Sequence, residues 1–292
     1  MEDKLFSYYE KNFGKETAEK IITALSSPPR KAIRVNTTRI SVEELKKRME
    51  KKGFEFEPAL CKYGLFVKKE PYSIGASAEY LLGYYYIQDA VSMIPPLELE
   101  PKESDIILDM CAAPGGKTTF ICQLMNNKGC VVALDIDRDK IKALRANFER
   151  MGLNNILIFK QESKKADKLG IQFDKILLDP SCSGDGMIGK IPEQKERFSE
   201  NMFKCTIEQR LLLKSAHSCL KSGGTLVYST CSLSTEENEE MLEYAKELGF
   251  ELLPTITNLG TESKIGFGRR IFPFEYKTQG FFYAKMVKKN VS

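Results

Sequence analysis

The 292-residue chain is 42% hydrophobic and 29% charged, a globular composition long enough to bury a core without disulfides. It has no run of 18 apolar residues, and the acidic start Met1–Tyr9 lacks a signal core, so neither a membrane span nor secretion is expected. The net charge is only +4, yet Arg30–Lys69 alone holds 12 basic against 5 acidic residues, a basic front suited to a polyanion.

Residues 3–26 repeat apolar positions with helical period (Leu5, Tyr8, Tyr9, Phe13, Ala18, Ile21, Leu25) until Ser26-Ser27-Pro28-Pro29 stops them. A strand is expected at Ile33–Asn36. A helix should follow from the capping sequence Ser41-Val42-Glu43-Glu44 to Lys52, with further strands at Phe54–Pro58 and Gly64–Lys68. Gly75–Gln88 reads as a bridge. The expected division is therefore a basic α/β unit over 1–75 and a larger domain over 76–292.

From Asp105 strands and helices alternate. The strands fall at 106–109, 131–135, 156–159, 175–179, 225–229 and 281–284, and the helices at 119–125, 140–151, 203–220 and 236–248. Short strands that are apolar throughout imply a sheet covered on both faces. The fold class expected is a doubly wound, Rossmann-like α/β sheet.

The first strand runs into Asp109-Met110-Cys111-Ala112-Ala113-Pro114-Gly115-Gly116-Lys117-Thr118. This turn lacks the G-x-G-x-x-G of dinucleotide sites. It also lacks the first glycine of a Walker A loop, because Cys111 stands there. An acid at the strand end suits a cationic ligand better than a triphosphate. S-adenosylmethionine, with its ammonium and sulfonium, fits that description. Asp135, at the end of the second strand, is placed to accept from both ribose hydroxyls.

Eight cysteines occur, with one histidine and no C-x-x-C pair, which speaks for free thiols and against a zinc cluster. Cys182 follows the fourth strand in Asp179-Pro180-Ser181-Cys182-Ser183-Gly184, and Cys231 follows the fifth in Ser229-Thr230-Cys231-Ser232. Loops at one sheet edge converge, so both thiols are expected to face one substrate. Cys61, Cys122, Cys130, Cys205 and Cys219 read as core residues, the Cys111 thiol as structural, and His217 as an ordinary helix residue. The basic run Gly266-Phe267-Gly268-Arg269-Arg270 reads equally as a phosphate contact or as a solvated loop.

Taken together, the run Gln88-Asp89, DMCAAPGGKT at 109–118, ALDID at 133–137, DPSCSG at 179–184 and Tyr228–Ser232 with Glu236–Glu239 resemble the two-cysteine RNA cytosine-5 methyltransferases, the Nop2/Sun group, in a short, archaeal-like form. The resemblance covers nearly the whole chain and includes that family's small N-terminal RNA-binding domain. It implies S-adenosylmethionine as cofactor and Cys231 as the nucleophile that adds to cytosine C6. It implies a role for Cys182 in release, and for Asp179 at the N3 and amino edge of the base. Lys117 is placed to assist electrostatically. The implied cofactor contacts are Cys111, Ala112, Ala113, Pro114, Gly115, Gly116, Lys117, Asp135, Arg138, Glu162 and Asp179, with no metal. Ser181 replaces the family's second proline, and Pro273-Phe274 replaces its Pro-His. The expected partner is RNA, with transfer RNA preferred over ribosomal RNA. A cytoplasmic setting is expected, and a monomer is compatible with the sequence. An RNA-binding or ribosome-assembly protein without catalysis is the alternative, disfavoured by the intact set of acids and thiols.

Overall fold

The computed structural model describes residues 2–195 and 198–290. Two helices open the chain, α1 (Glu2–Phe13) and α2 (Lys15–Leu25). The single helix expected over 3–26 is broken at Gly14, whose φ of 84° lies in the left-handed region. The apolar period continues on both sides of that break, because both helices bury one face. They bury it with Ile188, Leu233 and Phe272 of the large unit.

The small unit contains β1 (Ala32–Val35), α3 (Val42–Glu50), β2 (Glu55–Pro58), β3 (Gly64–Lys69), α4 (Ala78–Leu81) and β4 (Tyr85–Ile87). Its sheet has the order β2-β3-β1-β4 with antiparallel neighbours. Ser41 caps α3 by accepting from the Glu44 N–H at 3.1 Å. Leu45 and Met49 of that helix pack on Ile33, Val35, Phe54 and Leu65. Two segments cross the division expected between 75 and 76. Strand β4 joins the small sheet from beyond it, and α1–α2 pack on the large unit from before it.

The large unit follows as α5 (Ile94–Leu99), β5 (Ile106–Asp109), α6 (Gly116–Leu124), β6 (Cys130–Asp135), α7 (Arg138–Met151), β7 (Ile156–Lys160), β8 (Phe173–Leu178), α8 (Phe198–Cys219), β9 (Leu220–Thr230), α9 (Glu239–Glu247), β10 (Phe250–Leu253), β11 (Thr261–Glu262), β12 (Arg269–Ile271), α10 (Pro273–Tyr276) and β13 (Phe281–Lys288). Nine strands form one sheet in the order β11-β12-β13-β9-β8-β5-β6-β7, with β10 also paired to β13. Strands β7, β6, β5, β8 and β9 are parallel, and β13 is antiparallel to β9.

Alternate residues of each central strand serve opposite faces. Leu108, Ile176 and Leu226 meet α8 and α9, while Ile107, Leu177 and Val227 meet α6 and α7. The chain leaves β5 toward β6 and β7, then crosses back to β8. The C-terminal ends of β5 and β8 thus flank a switch point, where doubly wound sheets hold ligands. Among the described residues no helix is long and apolar enough to cross a membrane.

Candidate active site

Beyond β5 the chain turns through residues 110–115 into α6. Gly115 takes a φ of 105° at the helix N-cap, and a Cβ there would lie 2.7 Å from Leu144, so the turn needs glycine. Asp109 is the strand-end acid that suits a cationic ligand. It is buried instead, accepting from the Thr118 hydroxyl at 2.7 Å and the Cys111 N–H at 3.3 Å, and it lines neither cavity described below. Burial pushes its carboxyl up to about 6. Its role in the geometry is to close the turn.

Asp135 accepts from the Ala113 N–H at 3.2 Å through one oxygen and from the Asp137 N–H at 2.9 Å through the other. Each oxygen keeps a free lone pair. Asp135 lines a cavity of about 250 Å3 together with Met110, Ile136, Glu162, Ser163 and Leu212. Glu162 also pairs with Lys165 at 2.5 Å. Arg138, an expected contact, is exposed and absent from this wall. Asp137 caps α7 by accepting from the Asp139 and Lys140 N–H groups, which makes Arg138 the first helical residue, on the solvent side.

A second cavity of about 320 Å3 adjoins the first, and Cys111 lines both. Its wall includes Ala112, Ala113, Pro114, Gly116 and Lys117 from the turn, Asp179 and Cys231 from the far side, and Gln88 and Asp89 from the segment after β4. Gly115 supports the turn from behind rather than lining the chamber. Burial, followed by the nearby Asp109 and Asp179 carboxylates, holds the Cys111 thiol well above the ordinary range, which keeps it unreactive. A wider groove of about 510 Å3 between α2 and α10 touches neither cysteine. Phe274 lines that groove, stacked on Phe272, so the residue replacing the family's histidine sits away from the chamber.

The parallel register pairs Leu178 with Tyr228, so the loops after β8 and β9 leave the same sheet edge. They bring the Cys182 and Cys231 sulfurs to 2.9 Å. Cys231 lines the chamber, and Cys182 stands directly behind it. Asp179 accepts from Lys117 Nζ at 2.5 Å and from the Ser229 hydroxyl at 2.6 Å. Burial alone would lower the Lys117 pKa, but Asp179, and to a lesser degree Cys231, outweigh it and the net shift is upward. The Cys182 thiol is pushed well up by its hydrogen bond to Cys231, by burial, and by the charges of Glu237 and Asp179. Cys231 shares the chamber with the Lys117 ammonium and touches the Cys182 sulfur.

Three arrangements had no visible signal in the sequence. Arg34 of β1 is fully buried and donates to Thr119 Oγ1 at 2.8 Å, Gln88 Oε1 at 2.6 Å and the Gly116 carbonyl, tying the small sheet to the start of α6. Burial lowers its pKa to about 9. Arg270 of the basic 266–270 run is buried in a two-pronged pair with Glu239 at 2.8 and 2.7 Å, so it is neither a phosphate contact nor solvated. A polar cluster of Tyr9, Ser183, Asp185, Gln209 and Glu237 fills the space behind the sulfurs. His217 packs edge-on against Phe250 in α8, outside both cavities.

With this geometry in hand, comparison with known proteins is direct. The family described as 16S rRNA methyltransferase RsmB/F matches residues 96–287, and the N-terminal domain of 16S rRNA methyltransferase RsmF matches residues 1–90. The chain belongs to the RsmB/F family. Within it, the ribosomal RNA small subunit methyltransferase F of Vibrio atlanticus is 39% identical over 91% of this chain and 59% of its own length. The human 28S rRNA (cytosine(4447)-C(5))-methyltransferase is 37% identical over 88% of this chain and 34% of its own. The chain thus spans about a third to three fifths of these relatives. The crystal structure of NSun6 from Pyrococcus horikoshii with SFG superposes with a TM-score of 0.92 at 29% identity, covering 98% of both chains. A methyltransferase homologue from the same organism gives 0.86 at 39% identity, covering 97% of this chain and 93% of that one. The architecture is that of an S-adenosylmethionine-dependent methyltransferase with a small N-terminal α/β domain.

Proposed function

We propose that this RsmB/F-family protein transfers a methyl group from S-adenosylmethionine to C5 of a cytosine in RNA, through a covalent adduct at C6. The observation that carries the reading is the contact of Cys182 and Cys231 at 2.9 Å, with Cys231 in the wall of a chamber shared with the Gly115-Gly116 turn. The two joined cavities fit the cofactor. Asp135 has lone pairs free for two hydroxyls, Glu162 stands in the same wall for the adenine amino group, and the turn offers backbone at its mouth. The NSun6 relative with SFG supports the same ligand class. S-adenosylmethionine, when bound, supplies an electrophilic methyl group.

The chain's residues do the rest. Cytosine C5 is a poor nucleophile until Cys231 adds its thiolate to C6 and makes the ring enamine-like. The Cys231 sulfur attacks with the Lys117 ammonium in the same chamber and the Cys182 sulfur against it. Asp179, oriented by Lys117 and Ser229, holds the N3 and amino edge of the base. Both of its oxygens already accept hydrogen bonds, so as a carboxylate it accepts from the exocyclic amino group, and from N3 only once that nitrogen is protonated. On release water takes the C5 proton, the C5–H electrons restore the C5=C6 bond, and the C6–S pair leaves with the Cys231 sulfur, which the Cys182 thiol is placed to hydrogen-bond. A paired base cannot reach this chamber, so the target is unpaired or flipped out.

Ribosomal RNA is the better-supported substrate, because both matched domain descriptions and the named bacterial and human relatives are rRNA methyltransferases. This replaces the expected preference for transfer RNA.

The test is methylation of unmodified ribosomal and transfer RNA by the purified protein, read as 5-methylcytosine by mass spectrometry. Cys231→Ala should abolish transfer, by more than about a thousandfold. Cys182→Ala should leave RNA covalently attached, visible as a shifted band on a denaturing gel. An active Cys231→Ala variant, or no adduct with Cys182→Ala, refutes the assigned roles. Methylation confined to transfer RNA refutes the choice of substrate.

A further inference from the structure

Behind the paired sulfurs lie two carboxylates that the chemistry above does not use. Glu237 and Asp185 are both fully buried, and their partners among the described residues are neutral donors. Burying a carboxylate without a cation is expensive and persists only where its hydrogen bonds are filled. The way these are filled is reciprocal. Glu237, on the loop that carries Cys231, accepts from the Ser183 backbone N–H at 2.9 Å, one residue past Cys182. Asp185, on the loop that carries Cys182, accepts from the Leu233 backbone N–H at 2.9 Å, two residues past Cys231. Each loop thus holds the backbone of the other beside its cysteine. Gln209 of α8 adds a bond to Glu237 at 3.0 Å, and the Tyr9 hydroxyl of α1 adds one to Asp185 at 2.9 Å. An apolar pair of similar volume would fill this space, but it would not fix two backbones against each other.

We propose that Glu237 and Asp185 are positioning residues that keep the Cys182 and Cys231 sulfurs in contact through addition and release, with Tyr9 of the N-terminal helix completing the brace. The proposal rests on the reading that both cysteines act on one cytosine. It gives α1 a task at the reaction centre, although that helix lies at the far end of the sequence.

The test uses the full chain carrying Glu237→Gln, which keeps the side chain's size but puts an amide N–H2 where one carboxylate oxygen accepts from the Ser183 and Ser234 hydroxyls. Two readouts are needed. The first is kcat against KM for S-adenosylmethionine, expected to show a loss of about ten- to a hundredfold in kcat with KM within about twofold, because a small misplacement of the reacting groups is costly. The second is the pH midpoint for alkylation of Cys182 by iodoacetamide, followed by peptide mass spectrometry. The titratable groups that face this thiol are Cys231, Glu237, Asp179 and Tyr228. Loss of the Glu237 charge and of a tight sulfur contact should both move the midpoint down, together by about one pH unit.

A fall in kcat without a shift in alkylation marks a merely structural residue and overturns the proposal, as does an unchanged kcat. If Glu237→Gln does not fold, Tyr9→Phe decides: a kcat loss of at least about threefold with melting preserved supports the brace, and wild-type kcat overturns it. Alkylation requires no RNA. A wild type inactive on every RNA, with the shift intact, therefore sinks the methyl-transfer reading alone. An active wild type with no shift in Glu237→Gln sinks the brace alone.

Discussion

The turn after β5 and the loops after β8 and β9 share one sheet edge, yet they are held by different means. The turn takes its shape from a glycine at φ 105°, Thr118 to Asp109, and Ala113 to Asp135, with one distant tie, from Arg34 to the start of α6. Asp135, the acid proposed for the ribose hydroxyls, stands half-buried in the wall of a cavity. The cysteine loops are held from far away, by Tyr9 at a sequence distance of 176 residues and by Glu237 at 54. The difference separates two kinds of sensitivity. Changes on the turn side should weaken cofactor binding in graded steps, while changes on the cysteine side should remove turnover and leave binding intact.

The sharpest way to break this comparison is Gly186→Ala. The new Cβ would sit 2.6 Å from the Cys231 carbonyl oxygen and 2.6 Å from that of Gly280, and both are backbone atoms with no room to retreat. The Gly186 N–H also donates to the Cys231 carbonyl at 3.1 Å. Overpacking of this kind costs about 1–3 kcal/mol. The expected outcome is a lowered melting temperature and a kcat loss of roughly ten- to a hundredfold, with cofactor affinity by calorimetry unchanged. Equal losses in affinity and kcat would show that the two sides are mechanically one.

Asp135→Ala probes the other side. It removes the acceptors for two hydroxyls and the bonds to Ala113 and Asp137. Cofactor affinity should fall about ten- to a hundredfold, the worth of one to two hydrogen bonds to a charged group. Turnover at saturating cofactor should stay within about threefold of wild type. A collapse of kcat at saturation would mean that Asp135 also steers the methyl group.

How far the sequence reveals this site follows the same division. The turn and the two cysteines are legible because they lie next to apolar strands, and parallel strands must end at one edge. Strand β4 inside the expected bridge and β10–β12 are not, since each is only two to four residues long and too short for a period to register. The brace is invisible for another reason. The apolar period marks Tyr9 as an inward residue, but nothing local marks Asp185 as buried or pairs the two. Arg34 and Arg270 carry the opposite lesson: both count toward basic surface in a charge tally, and both are buried as struts. Arg48 and Lys52 are partly spent as well, paired with the buried Glu79. The basic front end that faces solvent is smaller than its composition suggests.

The smallest expected effect tests both sides through pH. Burial raises the Asp109 carboxyl of the turn from 3.8 to about 6, and burial followed by the Glu237 charge raises Asp185 of the brace likewise to about 6. A carboxyl whose folded pKa exceeds its unfolded one holds its proton more tightly in the native state. Its stabilising contribution is complete below pH 3.8 and is lost as pH rises through 6, after which stability is flat. Glu79 has the opposite sign. Burial would raise its pKa, but Lys52 and Arg48 overcome this and lower it, so its contribution is lost only as pH falls below 4.5. In the window from about pH 4.5 to 6 the wild type should lose stability to urea as pH rises. Asp109→Asn should flatten that slope by one proton, about 1.4 kcal/mol per pH unit, and so should Asp185→Asn. The two variants then part. Asp109→Asn keeps the Cys182–Cys231 contact and should turn over nearly normally once cofactor is saturating, whereas Asp185→Asn puts an amide where an oxygen accepts from the Tyr9 hydroxyl and should lose turnover. Equal turnover in the two variants would mean that the buried acid of the brace closes its loop no differently from the buried acid of the turn.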